Sequence, residues 1–171
     1  MFNERVNTIK EDYLYYLPCG KTLLIKKNVL HKMNNYRQIN RKDLEAGGIL
    51  IGRILIENEN YVIDDVTIPT QYDKRTRNRF KRNPKGHQEY YDDLFRETDG
   101  RCFYLGEWHT HPERLPRPSF IDKRNWKRIN ELKFETEDLF FIILGTTDLK
   151  VWSISKNEDK IILLDREDKN G

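Results

Sequence analysis

The chain has 171 residues, enough for a single domain with a packed core, and it is 37% apolar and 35% charged. An aromatic share of 12% and the apolar runs GILIGRILI and LFFIILG exclude a disordered chain. A net charge of +3, from 31 basic and 28 acidic residues, is too small to imply a nucleic-acid partner for the chain as a whole, and no apolar stretch approaches the roughly 18 residues of a membrane-spanning helix.

Cys19 and Cys102 stand far apart and in no CxxC spacing, so neither a disulfide framework nor a cysteine zinc site is indicated. The N-terminus has no apolar leader core, so secretion is not expected and a reducing cytoplasm is. In chain order, Tyr13 to Leu17 and Thr22 to Ile25 suggest short strands. Val29, Leu30, Met33, Tyr36 and Ile39 recur at helical spacing, which predicts a helix from Asn28 to about Asn40 with Asn28 as its cap. Ala46 to Ile56, rich in Ile, Leu and Gly, reads as a strand buried on both faces, with Glu45 at its mouth. Tyr61 to Ile68 is its expected antiparallel hairpin partner, ended by Pro69.

Seven basic residues, Lys74, Arg75, Arg77, Arg79, Lys81, Arg82 and Lys85, follow without an acidic one among them, and the stretch is expected to be a loop. Tyr90, Tyr91, Leu94 and Phe95 place a helix over Gly86 to Glu97, stopped by Asp99-Gly100. A strand from Cys102 to His111, a proline-rich loop to Pro118 and a helix opened by Ser119, with Phe120, Trp126 and Ile129 on one side, come next. Leu139 to Leu144, Lys150 to Ile154 and Lys160 to Leu164 complete the chain as strands. The whole is α/β or α+β, without internal repeat or linker.

The chemistry concentrates at His109-Thr110-His111-Pro112, followed after Pro118 by Ser119-Phe120-Ile121-Asp122. Two histidines two apart on a strand share a face, so they can share a metal. A carboxylate on the first turn of the next helix completes a His, His, Asp set that leaves a coordination position for water. Each part has an ordinary explanation as well: HxH pairs are often hydrogen-bonded or solvated, and Ser119 with Asp122 is a good helix-capping pair. Capping and ligation are compatible, because a capped carboxylate is a directed one.

His-x-His-Pro, seven residues counting that proline, then Ser-x-x-Asp, preceded by a Glu before a glycine-rich apolar strand, resembles the motif of the JAMM (MPN-plus) metallopeptidases. The resemblance spans the core from about residue 28 to 155 and implies one cytidine-deaminase-like MPN domain over 1–171, a mixed β-sheet flanked by helices. It implies His109, His111 and Asp122 as ligands of one zinc ion, Glu45 as general acid/base and Ser119 as stabiliser of the tetrahedral intermediate. The same donors also suit iron or manganese. The implied reaction is hydrolysis of the peptide or isopeptide bond after the C-terminal tail of a ubiquitin-like protein. The phrases around Gly106 to Glu113, Pro118-Ser119, Trp126 and Gly86-His87-Gln88 are similar to compact bacterial members of anti-phage (CBASS-type) operons. Those accompany E1- and E2-like proteins and remove a conjugated CD-NTase-type nucleotidyltransferase.

Arg79 and Arg82 are candidates for holding an acidic or extended target segment, whereas His87, alone at a helix start, is expected to be structural and is left out of the metal set. Three rival readings stand beside the enzyme: a non-catalytic MPN scaffold, a nucleic-acid binder using the basic run, and a processor of a sulfur-carrier-like protein. Phe80 is the only aromatic in the basic run, which weakens the second.

Overall fold

The computed structural model describes residues 9–169. The reading of the leader-free N-terminus rests in part on residues 1–8, outside that range. The strands are β1 (Tyr13–Tyr16), β2 (Thr22–Ile25), β3 (Gly47–Ile54), β4 (Tyr61–Val66), β5 (Lys74–Thr76), β6 (Arg79–Lys81), β7 (Phe103–Thr110), β8 (Asp138–Leu144), β9 (Leu149–Ser155), β10 (Glu158–Leu163) and β11 (Asp165–Arg166). Three helices, α1 (Lys27–Asn34), α2 (Pro84–Glu97) and α3 (Phe120–Glu131), lie between them.

Nine strands form one mixed sheet in the order β10-β9-β8-β7-β3-β4-β2-β1-β11. The expected β3–β4 hairpin is antiparallel, while β7–β8 and β2–β4 are parallel. β10 and β11 occupy opposite edges of the sheet yet are separated in sequence by Leu164 alone. The sheet must therefore curl until its edges meet, and Leu164, whose N–H donates to Val151 O at 2.9 Å, is buried in the seam.

Curling gives the sheet an inner face and an outer one. Leu23, Ile25, Leu50, Leu105, Trp108, Phe140 and Ile142 pack inside, with Val29, Leu30 and Met33 of α1. Outside, α3 lays Trp126 on Phe141, Ile143 and Trp152, and α2 covers Ile49, Ile51 and Cys102 with Tyr91 and Leu94. Strands β3 and β8 thus bury alternate residues on both faces, as their unbroken apolar runs require. Each large side chain so buried contributes roughly 1.5–3 kcal/mol relative to exposure.

Several boundaries differ from the sequence expectation. α1 ends at Asn34 rather than Asn40, and its cap position is Lys26, without a side-chain capping bond. Asn28 instead donates to Asp64 O at 3.2 Å. The helical period fails beyond Tyr36 because Gln38 turns inward, 1% exposed, while Ile39 is 56% exposed. β3 stops at Ile54, leaving Ile56 in the turn and open to solvent. Phe120 does not share the buried side of α3 with Trp126; at the first helical position it is 78% exposed.

The basic run is not a loop. It forms the two-stranded sheet β5–β6, pairing Lys74 with Lys81 and Thr76 with Arg79. Its cations serve the backbone: Arg77 donates to Asn40 O and Arg41 O at 2.9 and 2.8 Å, and Arg75 Nε to Glu45 O at 2.9 Å. Asp73 clamps the base of this hairpin, accepting from Asn83 N at 2.7 Å, from Thr70 N at 2.7 Å and from His87 Nε2 at 2.9 Å. The other ring nitrogen of His87 meets Thr67 Oγ1 at 2.6 Å, and the imidazole is fully buried. His87 is a structural tie between β4, the hairpin base and α2.

Candidate metal centre and its cleft

The outward direction of the two histidines depends on one irregularity. Phe103 and Leu105 of β7 face the inner core, so strict alternation would send residues 107, 109 and 111 inward too. Between Leu50 and Ile51 of the partner strand the register shifts, opposite Gly106, whose φ is +133°. This bulge inserts one residue and reverses the phase. Trp108 and Thr110 consequently face the core, and Glu107, His109 and His111 face outward beneath α3.

Outside lies a cleft of about 900 Å³ whose lining includes Glu45, Arg79, His109, His111, Ser119 and Asp122. Ser119 caps α3: its hydroxyl accepts from Asp122 N at 3.1 Å, and Asp122 Oδ2 accepts from Ser119 N at 2.7 Å. The reciprocal box fixes the Asp122 carboxylate with Oδ1 3.3 Å from His109 Nε2 and Oδ2 3.3 Å from His111 Nε2. The two Nε2 atoms are 3.0 Å apart. Ligands held about 2.0 Å from a tetrahedral ion are about 3.3 Å from one another, a spacing that each of these contacts approaches, the two carboxylate contacts being made through different oxygens. Glu45, His109 and His111 also form a group whose ligand atoms lie within 4.8 Å of one another.

Electrostatics point the same way. Glu113 Oε1, 3.0 Å from His111 Nδ1, favours the proton there and turns the Nε2 lone pair toward the cluster. Burial alone would lower the pKa of His111, but the Asp122 and Glu113 carboxylates outweigh it and push it up to about 9. Burial would raise Asp122, yet the two imidazoles and the Ser119 N–H hold it well below the usual carboxylate range. A cluster of converging lone pairs calls for positive charge, supplied by a proton or by a metal ion.

Glu45, 6% exposed, offers an oxygen within 4.8 Å of the ligand atoms of His109 and His111. Burial raises its pKa above the ordinary 4.5, opposed by the imidazoles and the Phe80 N–H. The hairpin holds its backbone, since Glu45 N donates to Thr76 O at 2.8 Å while Arg75 grips its carbonyl. The Phe80 ring lies over Gly47, where a Cβ would come within 2.6 Å of it. Thr110, between the histidines, completes the frame: Oγ1 accepts from Ala46 N and donates to Gln38 Oε1, both at 2.9 Å. Gln38 Nε2 in turn donates to Arg77 O at 2.7 Å.

All five residues of the sequence constellation therefore meet in one cleft. Arg79 and Arg82 both line it, but Arg82 is engaged by Glu107, with Nη2 2.7 Å from Oε1, so of the two only Arg79 has no ion-pair partner among the described residues. Sequence reasoning passed over Glu113, Glu107, Gln38 and the Phe80 amide. Only Glu113 had a sequence signal, its position two residues beyond a candidate ligand.

Fold and site together define a mixed-sheet protein with a candidate metal centre of the His, His, carboxylate type. A profile of prokaryotic homologs of the JAB domain matches residues 33–155, and the chain belongs to that family. The resemblance to JAMM (MPN-plus) proteins is thereby borne out. Several relatives bear the name CD-NTase/cGAS isopeptidase. That of Escherichia coli (strain TW11681) is 37% identical over 138 residues, covering 81% of this chain and 85% of the relative. Those of Pseudomonas aeruginosa and Vibrio cholerae are each 34% identical, covering 77% and 82% of this chain and 83% and 85% of their own. Among solved structures, protein DSY2949 from Desulfitobacterium hafniense shares the fold with a TM-score of 0.54 at 24% identity, over 84% of this chain and 88% of that one.

Proposed function

We propose that the protein is a zinc-dependent isopeptidase that releases a CD-NTase-type nucleotidyltransferase from its protein conjugates, in the cytoplasm and within a bacterial antiviral system. The observation that carries the reading is the convergence of His109, His111 and Asp122 at 3.0–3.3 Å beside the buried Glu45. The names borne by relatives that cover four-fifths of the chain support the substrate class. A scaffold without catalysis has no need of a buried carboxylate at the mouth of β3, held by the Phe80 N–H and facing two imidazoles, because burying it costs stability.

In this reading His109 Nε2, His111 Nε2 and an Asp122 oxygen would hold the zinc. When bound, zinc supplies Lewis acidity, which polarises a carbonyl and brings the pKa of water toward neutrality. Glu45 removes a proton from the attacking water as its oxygen bonds to the scissile carbonyl carbon. The Ser119 hydroxyl spends a lone pair on the Asp122 N–H and keeps its hydrogen for the developing oxyanion. Glu45 then delivers the proton to the nitrogen of the breaking C–N bond, releasing a carboxylic acid and an amine. Glu113 holds the His111 tautomer, and the hairpin keeps Glu45 in reach.

The test is cleavage of a purified isopeptide-linked nucleotidyltransferase conjugate by wild type, by chelator-treated protein and by the same sample with zinc restored. Cleavage lost on chelation and regained with zinc supports the proposal. Cleavage indifferent to chelation, or absent from folded, zinc-loaded protein, overturns it.

A further inference from the structure

The carboxylates around the cleft are all engaged, whereas most of its cations have no ion-pair partner among the described residues, Arg124 lying 6.0 Å over the Phe120 ring. Glu107 is held by Arg82, Glu113 by His111, Asp122 by both imidazoles, and Glu45 by the Phe80 amide. Arg79 and Lys81 line one wall from β6, and Arg117, Arg124 and Arg128 line the other. All five are exposed, and none makes an ion pair with a carboxylate among the described residues. Arg124 and Arg128, one turn apart on α3, share a face with Ile121 and Asn125, which also line the cleft.

We propose that the segment of substrate lying in the cleft is acidic, and that these five side chains, on both walls, read its carboxylates. The inference rests on the isopeptidase reading and names the substrate chemistry of that same site. Cations on opposite walls bracket an extended peptide on either side of the scissile bond, which aligns it as well as attracting it. Each exposed pair contributes only about 0.2–1 kcal/mol, so the effect is collective and expressed in capture rate and KM. A nucleic acid fits this cleft less well. Its floor carries the Glu45 and Asp122 carboxylates, and its tryptophans, Trp108 and Trp126, are 1% and 3% exposed and offer no stacking platform.

The test measures binding of fluorescent octaglutamate to the zinc-loaded protein at low salt, together with KM for the conjugate. Wild type is compared with Arg124→Glu/Arg128→Glu and with Lys156→Glu/Lys160→Glu, an equal charge change at exposed positions outside the cleft lining. Octaglutamate affinity about tenfold weaker in the arginine variant, with a raised KM, unchanged zinc content and no change in the lysine variant, supports the proposal. Binding and KM alike in all three proteins overturn it, including the case in which octaglutamate merely ligates zinc. Tighter binding of an oligothymidylate of equal charge overturns it in favour of nucleic acid. Cleavage by wild type persists in any of these cases, which separates failure here from failure of the isopeptidase reading.

Discussion

His87 and the His109–His111 pair set the same side chains, imidazole and carboxylate, in two different situations. His87 has one partner on each ring nitrogen, Thr67 and Asp73, and no exposure, so its hydrogen-bonding capacity is met and no ligand can reach it. At the pair, two nitrogens and two carboxylate oxygens point at one another at the bottom of an open cleft. Protons alone satisfy that cluster poorly, and a cation satisfies it well. A histidine–carboxylate contact is thus structural when each lone pair has its own donor and chemical when several converge on one point.

The sharpest break of this comparison is to remove one histidine from each place. His109→Ala should abolish bound metal and cleavage while leaving the metal-free protein folded, as circular dichroism would record. His87→Ala should lower unfolding stability by roughly 2–4 kcal/mol in urea titrations, through a cavity and two orphaned partners, yet keep kcat per folded molecule. The opposite pattern would reverse the assignment.

Next in size is Glu45→Gln, expected to lower kcat by about 10²–10⁴ with metal content unchanged. A general base works ionised, and burial raises this one in the metal-free protein, so kcat/KM of wild type should fall on the acid side as the Glu45 carboxylate takes up a proton. A pH profile flat well below 4.5 would remove Glu45 from that role.

Glu113→Ala sharpens the same contrast, since it frees His111 to choose its tautomer. Metal affinity should weaken by about 10–100-fold, read by competition with a chelating dye, and added zinc should restore cleavage. Unchanged affinity would show that Glu113 only pins Arg117 N, 2.9 Å from its Oε1.

Asp73→Asn gives the smallest effect, on the structural side. Burial would raise the Asp73 pKa, but the N–H donors of Thr70 and Asn83 and the His87 ring outweigh it and lower it below the ordinary 3.8. Its stabilising contribution is complete above 3.8 and lost as pH falls through the lower folded value. The variant should lose roughly 1–3 kcal/mol near neutrality and show a shallower fall of stability below pH 4.

Much of this architecture was legible because it is local. β3, β7 and β8 are marked by apolar runs, α2 and α3 by helical spacing and turn residues, and the site by a spacing that a strand and a capped helix convert into convergence. What escaped detection is non-local or backbone-mediated. The β5–β6 hairpin has no apolar alternation to announce it, because arginines bind it to the carbonyls of residues 40–45 rather than packing it on a core. The phase of β7 turns on Gly106, whose bulge exists only in the pairing with β3. The premature end of α1 follows from a use for Gln38 beneath Thr110, across 72 residues of chain. The closure of the sheet through Leu164 is likewise a long-range pairing, invisible in a two-residue strand.

The central claim is a metal centre built by three residues and worked by a fourth. Zinc per chain, measured in wild type, Glu45→Ala and Asp122→Ala beside cleavage of the same conjugate, tests it most directly. About one zinc in wild type and Glu45→Ala, none in Asp122→Ala, and cleavage by wild type alone is the predicted result. Folded wild type without zinc, or cleavage undiminished in Glu45→Ala, would contradict it.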